Sequence, residues 1–257
     1  MNFTFLTVLA TGGLLLGMLG MLEIGRRIGV RRLAHDLEET RPGQTAVEGA
    51  IFGLVGLIMA FTFSSSLTSF ETERQLIGQE VSAIRTAWLR LDLLRADDQA
   101  ALKELFRQYL DSRLEMYRKL PDTAAGKAEF ARSVKLQDDI WQKTITACHE
   151  SGVTSSWALL LPALNQMFDI SHARALAARI HPPKVIFVML SALMLLSALL
   201  AGYGMAGGKS RSWLHILGLA VSLSATVFLI YDLEYPYVGV FRINAMDQML
   251  VELRRSM

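Results

Sequence analysis

A single cysteine, Cys148, is the chain's entire thiol complement. No disulfide within one chain and no cysteine metal site can therefore form. Proline is also scarce, with six in 257 residues and none between Pro42 and Pro121, so nothing in that stretch forces a helix to stop. Neither sign of charge dominates. The 26 basic and 24 acidic side chains leave a net charge of +2, which gives no electrostatic footprint for nucleic acid. No alternating strand pattern of useful length is present, nor a phosphate-binding glycine loop or a nucleophile elbow. Cys148-His149-Glu150 is the one close trio of reactive types, but consecutive helical residues do not face one another. His172 and His181 flank ordinary helix residues. No catalytic residue, metal site or cofactor is expected, and the chain does not read as an enzyme.

Charge of either sign is missing from long segments. Phe5 to Leu22, Val185 to Met205 and Trp213 to Tyr231 contain no Asp, Glu, Lys or Arg. Ala46 to Leu67 contains only Glu48. Each is long enough to cross a bilayer as a helix. A signal peptide is the alternative for the first, but it lacks a basic start and a clear small-residue cleavage site. The chain therefore reads as an all-α, multi-pass membrane protein with four transmembrane helices. A helical extramembrane domain is inserted between spans two and three. The expected divisions are residues 1–69 (spans one and two with a basic connecting loop), 70–183 (the helical domain), 184–231 (spans three and four) and 232–257 (a C-terminal tail).

The second span does not end where it leaves the lipid. From Ala46 to Leu94 no break appears, and after Gly56 the only glycine is Gly78. One helix of about 75 Å is expected at ~1.5 Å per residue. Ile77, Val81, Ile84, Trp88 and Leu91 alternate spacings of four and three, a heptad seam suited to joining subunits. Further helices are expected from Asp97 to Leu120, from Thr123 to Glu150 and from Ser155 to Ile180. These end respectively at Pro121, at Ser151-Gly152 and at His181-Pro182-Pro183.

Arg26, Arg27, Arg31, Arg32 and Arg41 follow span one, and Lys209 and Arg211 lie between spans three and four. By the positive-inside rule these short loops are cytoplasmic and the helical domain is extracytoplasmic. Tyr203, Trp213, Tyr231, Tyr235 and Tyr237 fit interfacial aromatic belts. Glu48 opens span two, where the helix dipole favours an acid and where a ring of such acids would attract ions. Gly53, Gly56 and Ala60 allow close helix approach, as do Gly13 and Gly17. Below the apolar pair Leu57 and Phe61 come Thr62, Ser64, Ser65, Ser66 and Thr68. These hydroxyls either bond to their own helix backbone or form a wet vestibule beneath an apolar ring.

The segment LIMAFTFSSSLTSFETERQLIGQEVSAIRT resembles the second-helix segment of bacterial bestrophins through Ala60-Phe61, Phe70, Arg74, Leu76, Gly78, Arg85 and Thr86. The stretch after span four resembles the same family through Pro236, Tyr237 and Gly239. The whole chain is similar to the bacterial bestrophin-like domain proteins. The resemblance implies a homopentameric ion channel of the bacterial inner membrane, with inorganic ions and the lipid bilayer as its partners. Its pore would be lined by the second span, with a neck at Gly53, Leu57 and Phe61 and a polar stripe at Ser64 and Thr68. Departures are Glu71 in place of a second aromatic, and Thr62, Ser64 and Ser65 where the family has Arg or Asn. The acidic calcium clasp of animal bestrophins is absent, and the inferred orientation is opposite to the usual one. The alternative is a non-conducting scaffold or sensor that oligomerises through its helical domain.

Overall fold

The computed structural model describes residues 3–33, 42–119, 123–151, 154–207, 213–240 and 243–257. Eight α-helices occur among them: α1 (Phe3–Leu33), α2 (Pro42–Arg90), α3 (Ala96–Arg118), α4 (Thr123–Ser151), α5 (Thr154–Ala177), α6 (Lys184–Gly204), α7 (Trp213–Glu234) and α8 (Asn244–Ser256). Short 3-10 turns cover Leu91–Leu93 and Met205–Gly207. Arg41, Pro121, Gly152, Lys209 and Arg211 lie outside the described residues. The chain divides into two compact units, one of Met1–Thr68 with His181–Tyr235, the other of Ser69–Ile180 with Pro236–Met257.

The first unit holds four helices long and apolar enough to cross a membrane. α1 lies along α6 and touches α7. Met18 and Leu22 of α1, Val55 and Met59 of α2, Leu190 and Met194 of α6, and Ile216 and Ala220 of α7 form its core. Its outside is as apolar as its inside. Leu16, Val188 and Leu214 are all strongly exposed, which suits lipid and not water. The backbones of α1 and α6 meet at two glycines. A Cβ on Gly25 would lie 1.9 Å from the Leu199 carbonyl oxygen, and one on Gly202 2.0 Å from that of Leu22. Sequence reading did not single these two out. It favoured Gly13 and Gly17, of which Gly13 faces open space and Gly17 only the Leu195 side chain.

In the second unit α3 is held by a stripe of Leu102, Phe106, Tyr109, Leu110 and Met116, all buried, at the three-and-four spacing of one helix face. Asp97 and Asp98 occupy its first turn and Arg118 its last, each complementing the helix dipole. The stripe packs on Ile84 and Ala87 of α2, Leu91 of the 3-10 turn that follows it, Ile140 of α4 and Leu160 and Leu164 of α5. Pro162 sits inside α5, where its missing N–H strands a helical carbonyl. One turn away the Arg90 guanidinium donates to the Leu159 carbonyl.

Several expectations need correction. The stretch after span one is not a loop from Glu23 onward, because α1 continues unbroken to Leu33. The long helix ends at Arg90, and the Gln99 side chain donates 2.8 Å to the Leu94 carbonyl in the turn that follows. α5 stops at Ala177, short of Ile180. The tail carries a helix of its own. α8 buries Leu250 and Leu253 in the second unit's core, and its Arg254 pairs with Asp111 at 2.7 Å.

Gly202→Ala should destabilise the detergent-solubilised protein by about 1–3 kcal/mol, because a methyl group has no room there. Gly53→Ala, facing open space, should leave the melting temperature unchanged or raised. Differential scanning fluorimetry of the two variants checks this.

Candidate functional site

Two arrangements stand out, one in each unit. The first is the face of α2 that its own chain leaves uncovered. Gly53, Leu57, Phe61, Ser64 and Thr68 are all exposed, with Leu57 at 53% and Phe61 at 68%. The opposite face, Val55, Met59, Thr62 and Ser66, is buried. A helix advances ~100° per residue, so the five exposed residues fall within about 80° of one another. A Cβ built on Gly49, Gly53 or Gly56 would meet nothing within 4 Å.

The five hydroxyls read together in the sequence split between these faces. Thr62 donates its Oγ1 proton to the Ile58 carbonyl at 2.7 Å on the buried side. Ser66 donates to the Glu234 carboxylate at 3.0 Å. The other Glu234 oxygen lies 3.2 Å from His181 Nδ1, and Glu234 itself is almost fully buried. Ser64, Ser65 and Thr68 remain on the exposed face, and Thr68 satisfies its proton on the Ser64 carbonyl at 2.9 Å. Glu48 lies roughly 140° around the helix from Gly53. Its carboxylate comes within 3.1 Å of where a Cβ on Gly204 would sit. It is half-buried in its own unit and off the exposed stripe.

The seam residues Ile77, Val81, Ile84, Trp88 and Leu91 find partners inside the single chain. Ile77, Ile84 and Leu91 are fully buried within the single chain, and Val81 and Trp88 pack against the second unit's core. Trp88 meets Phe106 edge-on at 6.2 Å between ring centres, with Lys103 and Arg107 over its ring. Heptad spacing marks which face of a helix is buried but not which partner buries it. Here the partners are α3 and α5.

The second arrangement escaped the sequence reading. Glu80 lies between two arginines from other helices. Arg113 Nε donates to Oε1 at 2.6 Å and Arg174 Nη1 to Oε2 at 2.7 Å. All three side chains have no exposed surface. Arg113 also donates to the Tyr117 hydroxyl, and the Arg174 guanidinium lies 3.4 Å over the Tyr117 ring. Tyr237 stacks on Tyr117 at 5.7 Å and accepts from Arg174 at 3.4 Å, so it belongs to this cluster and is not an interfacial anchor. Alongside, Gln137 donates to Ser171 Oγ at 2.7 Å and to the Tyr109 hydroxyl at 3.3 Å. Burial by itself would raise the Glu80 carboxyl. The charges of Arg113 and Arg174 and their hydrogen bonds outweigh it and hold the carboxyl below its ordinary range. Burial pushes the Tyr117 hydroxyl well up. Near neutrality Glu80 stays ionised and Tyr117 stays protonated, so the cluster acts as a fixed tie between α2, α3 and α5.

The reactive trio is dispersed. Cys148 is buried, and burial raises its thiol. Its carbonyl accepts from Trp157 Nε1 at 2.9 Å, and His149 lies edge-on to the same indole. His172 meets Phe130 edge-on. Among the described residues no three His, Cys, Asp or Glu side chains converge as a metal site requires.

Glu80→Gln would leave two buried guanidiniums short of their counter-charge, and a cost of about 3–5 kcal/mol is expected. The acid response gives a sharper readout. A carboxyl held below its unfolded value of 4.5 stabilises fully above that value and loses its contribution as pH falls through the lower, folded value. Wild-type stability should therefore drop below about pH 4.5. The Glu80→Gln variant should lack that part of the drop in denaturant titrations across pH 3–6.

The comparisons agree with this architecture. The sequence pattern of the Bestrophin-like domain matches residues 5–246. No curated protein matches the chain. A point variant of a bacterial bestrophin homolog from Klebsiella pneumoniae superposes with a TM-score of 0.72 at 15% identity, covering 94% of this chain and 98% of that one. The Klebsiella pneumoniae bestrophin homolog phased with zinc gives 0.70 at 14% identity, covering 93% and 97%. A variant described as a membrane protein gives 0.70 at 14%, covering 94% and 96%. At these identities the likeness concerns fold alone. The pattern match spans nearly the whole chain and settles the family: this protein belongs to the Bestrophin-like domain family.

Proposed function

We propose that the chain assembles around the exposed face of α2 into an oligomeric ion channel, a homopentamer of the bacterial inner membrane. Gly53, Leu57 and Phe61 line an apolar neck, and Ser64 and Thr68 line the wetter stretch beside it. The observation that carries this reading is the character of that face. It is left bare by its own chain, and it changes within a few turns from glycine and large apolar residues to hydroxyls. Lipid contact alone gives no reason for serines and a threonine there. Among the described residues nothing lies within 4 Å of a Cβ on Gly49, Gly53 or Gly56, although glycine costs a helix about 1 kcal/mol each. Small residues suit an axis where several copies of one helix converge. Phe61, large and 68% exposed, is the constriction.

The arginines at the end of α1, with Lys209 and Arg211 in the sequence between α6 and α7, support cytoplasmic short loops and an extracytoplasmic helical unit. Ile77, Ile84 and Leu91 of the seam are buried inside the chain, and the bare face of α2 therefore favours the channel over a scaffold or sensor that oligomerises through its helical domain.

Phe61→Ala should raise single-channel conductance in planar bilayers severalfold, and an unchanged conductance would remove Phe61 from the neck. The lone, buried Cys148 gives a quiet background for thiol labelling. Leu57→Cys and Ser64→Cys should react with a charged, membrane-impermeant methanethiosulfonate and lose flux in proteoliposomes. Val55→Cys, on the buried face, should not react. Equal labelling at all three positions would sink the assignment of the face.

A further inference from the structure

One charged side chain shares the candidate pore face of α2. At ~100° per residue, Glu71 falls at about the same angle around the helix as Gly53 and about 20° from Ser64. It therefore lies inside the sector that Gly53, Leu57, Phe61, Ser64 and Thr68 define. It also continues their spacing, since Ser64, Thr68, Glu71 and Gln75 stand at i, i+4, i+7 and i+11. Its position is about 15 Å along the helix beyond Phe61. Every other charge among the described residues of α2 falls outside that sector. Glu48, Glu73 and Glu80 lie on the opposite side of the helix, and Glu73 and Glu80 are buried. Arg74, Arg85 and Arg90 lie about 60°, 40° and 20° beyond its edges, and Arg90 donates to the Leu159 carbonyl.

Glu71 has a partner, and the partner stands to one side. Arg74 Nη1 donates to Glu71 Oε1 at 2.8 Å. Both side chains are partly exposed, Arg74 at 42% and Glu71 at 47%, so the pair is a surface contact that adds little to stability. The two charges cancel at a distance but not close by. The acid is on the face and the base is beside it, so an ion travelling along the face meets the carboxylate first.

We propose that Glu71 gives the conduction path a preference for cations, a reading that rests on the assignment of this face of α2 to the axis. Repeated by each copy, Glu71 forms a ring of carboxylates beyond the hydroxyls of Ser64 and Thr68. Acidic rings favour cations in a pore, and low-dielectric walls concentrate their field on the path. The neck cannot set the sign, because Gly53, Leu57 and Phe61 carry no charge. The hydroxyls do not favour an anion either. Thr68 has donated its proton to the Ser64 carbonyl at 2.9 Å, so it has none to offer one. The sign is decided at the one ionised position on the stripe. The bland alternative is a helix-stabilising ion pair that permeant ions never sense.

The test is the reversal potential of the full chain in planar bilayers under a potassium chloride gradient. Wild type should reverse on the potassium side. Glu71→Gln leaves Arg74 without its counter-charge and should lower the potassium-to-chloride permeability ratio about threefold. Glu71→Asp should keep most of the preference, and Arg74→Gln should strengthen it. Because the pair is partly exposed, these variants should melt with the wild type. A conducting wild type that reverses on the chloride side, or a Glu71→Gln variant whose reversal potential does not move, overturns the proposal and leaves the channel standing. A wild type that passes no current removes the channel reading and the proposal with it.

Discussion

A carboxylate without water is among the most expensive groups a protein can enclose, and Glu80 is enclosed completely. It is tolerable only because Arg113 and Arg174 reach its two oxygens from different helices. Their cations are in turn spread over the Tyr117 ring. Each member is affordable only while the others are in place. That mutual dependence sets the register of α2 against α3 and α5 more sharply than apolar packing can, because leucines slide past one another with little penalty and a buried ion pair does not. The placement of Ile84, Ala87 and Leu91 in the same core follows from that register.

The membrane unit solves a different problem. Lipid offers no hydrophobic drive to bring helices together, so close backbone approach must do the work. Gly25 and Gly202 supply it for α1 and α6. Water-side and lipid-side rules thus act on one continuous helix, since α2 contributes Val55 and Met59 to the apolar bundle and Glu80 to the ionic cluster. Its length follows from the absence of any proline after Pro42 and before Pro121.

Much of this could be read from residue types alone, and the misses have one cause. Charge-free runs mark the spans because only apolar helices suit lipid. The candidate pore face was legible as the stripe Gly53, Leu57, Phe61, since spacing is a property of one helix. The ionic cluster was not, because Glu80, Arg113 and Arg174 are far apart in sequence and each looks like a surface charge by itself. The signal was there in register: Glu80 falls between Ile77 and Ile84 on a buried face, and Arg113 falls between Leu110 and Met116 on another. α8 was missed for the same reason, as its two core residues, Leu250 and Leu253, are set among charges. The heptad seam marked a buried face, and within one chain α3 and α5 pack on it.

The welded crossing of α1 and α6 has a mechanical consequence. Two helices whose backbones touch at Gly25 and Gly202 cannot shear past each other without atoms colliding, so they move as one stiff strut. Among the described residues no glycine brings the α2 backbone against that strut, which α2 meets through side chains such as Val55 and Met59. Compliance in the membrane unit is therefore concentrated at α2, the helix that carries Phe61.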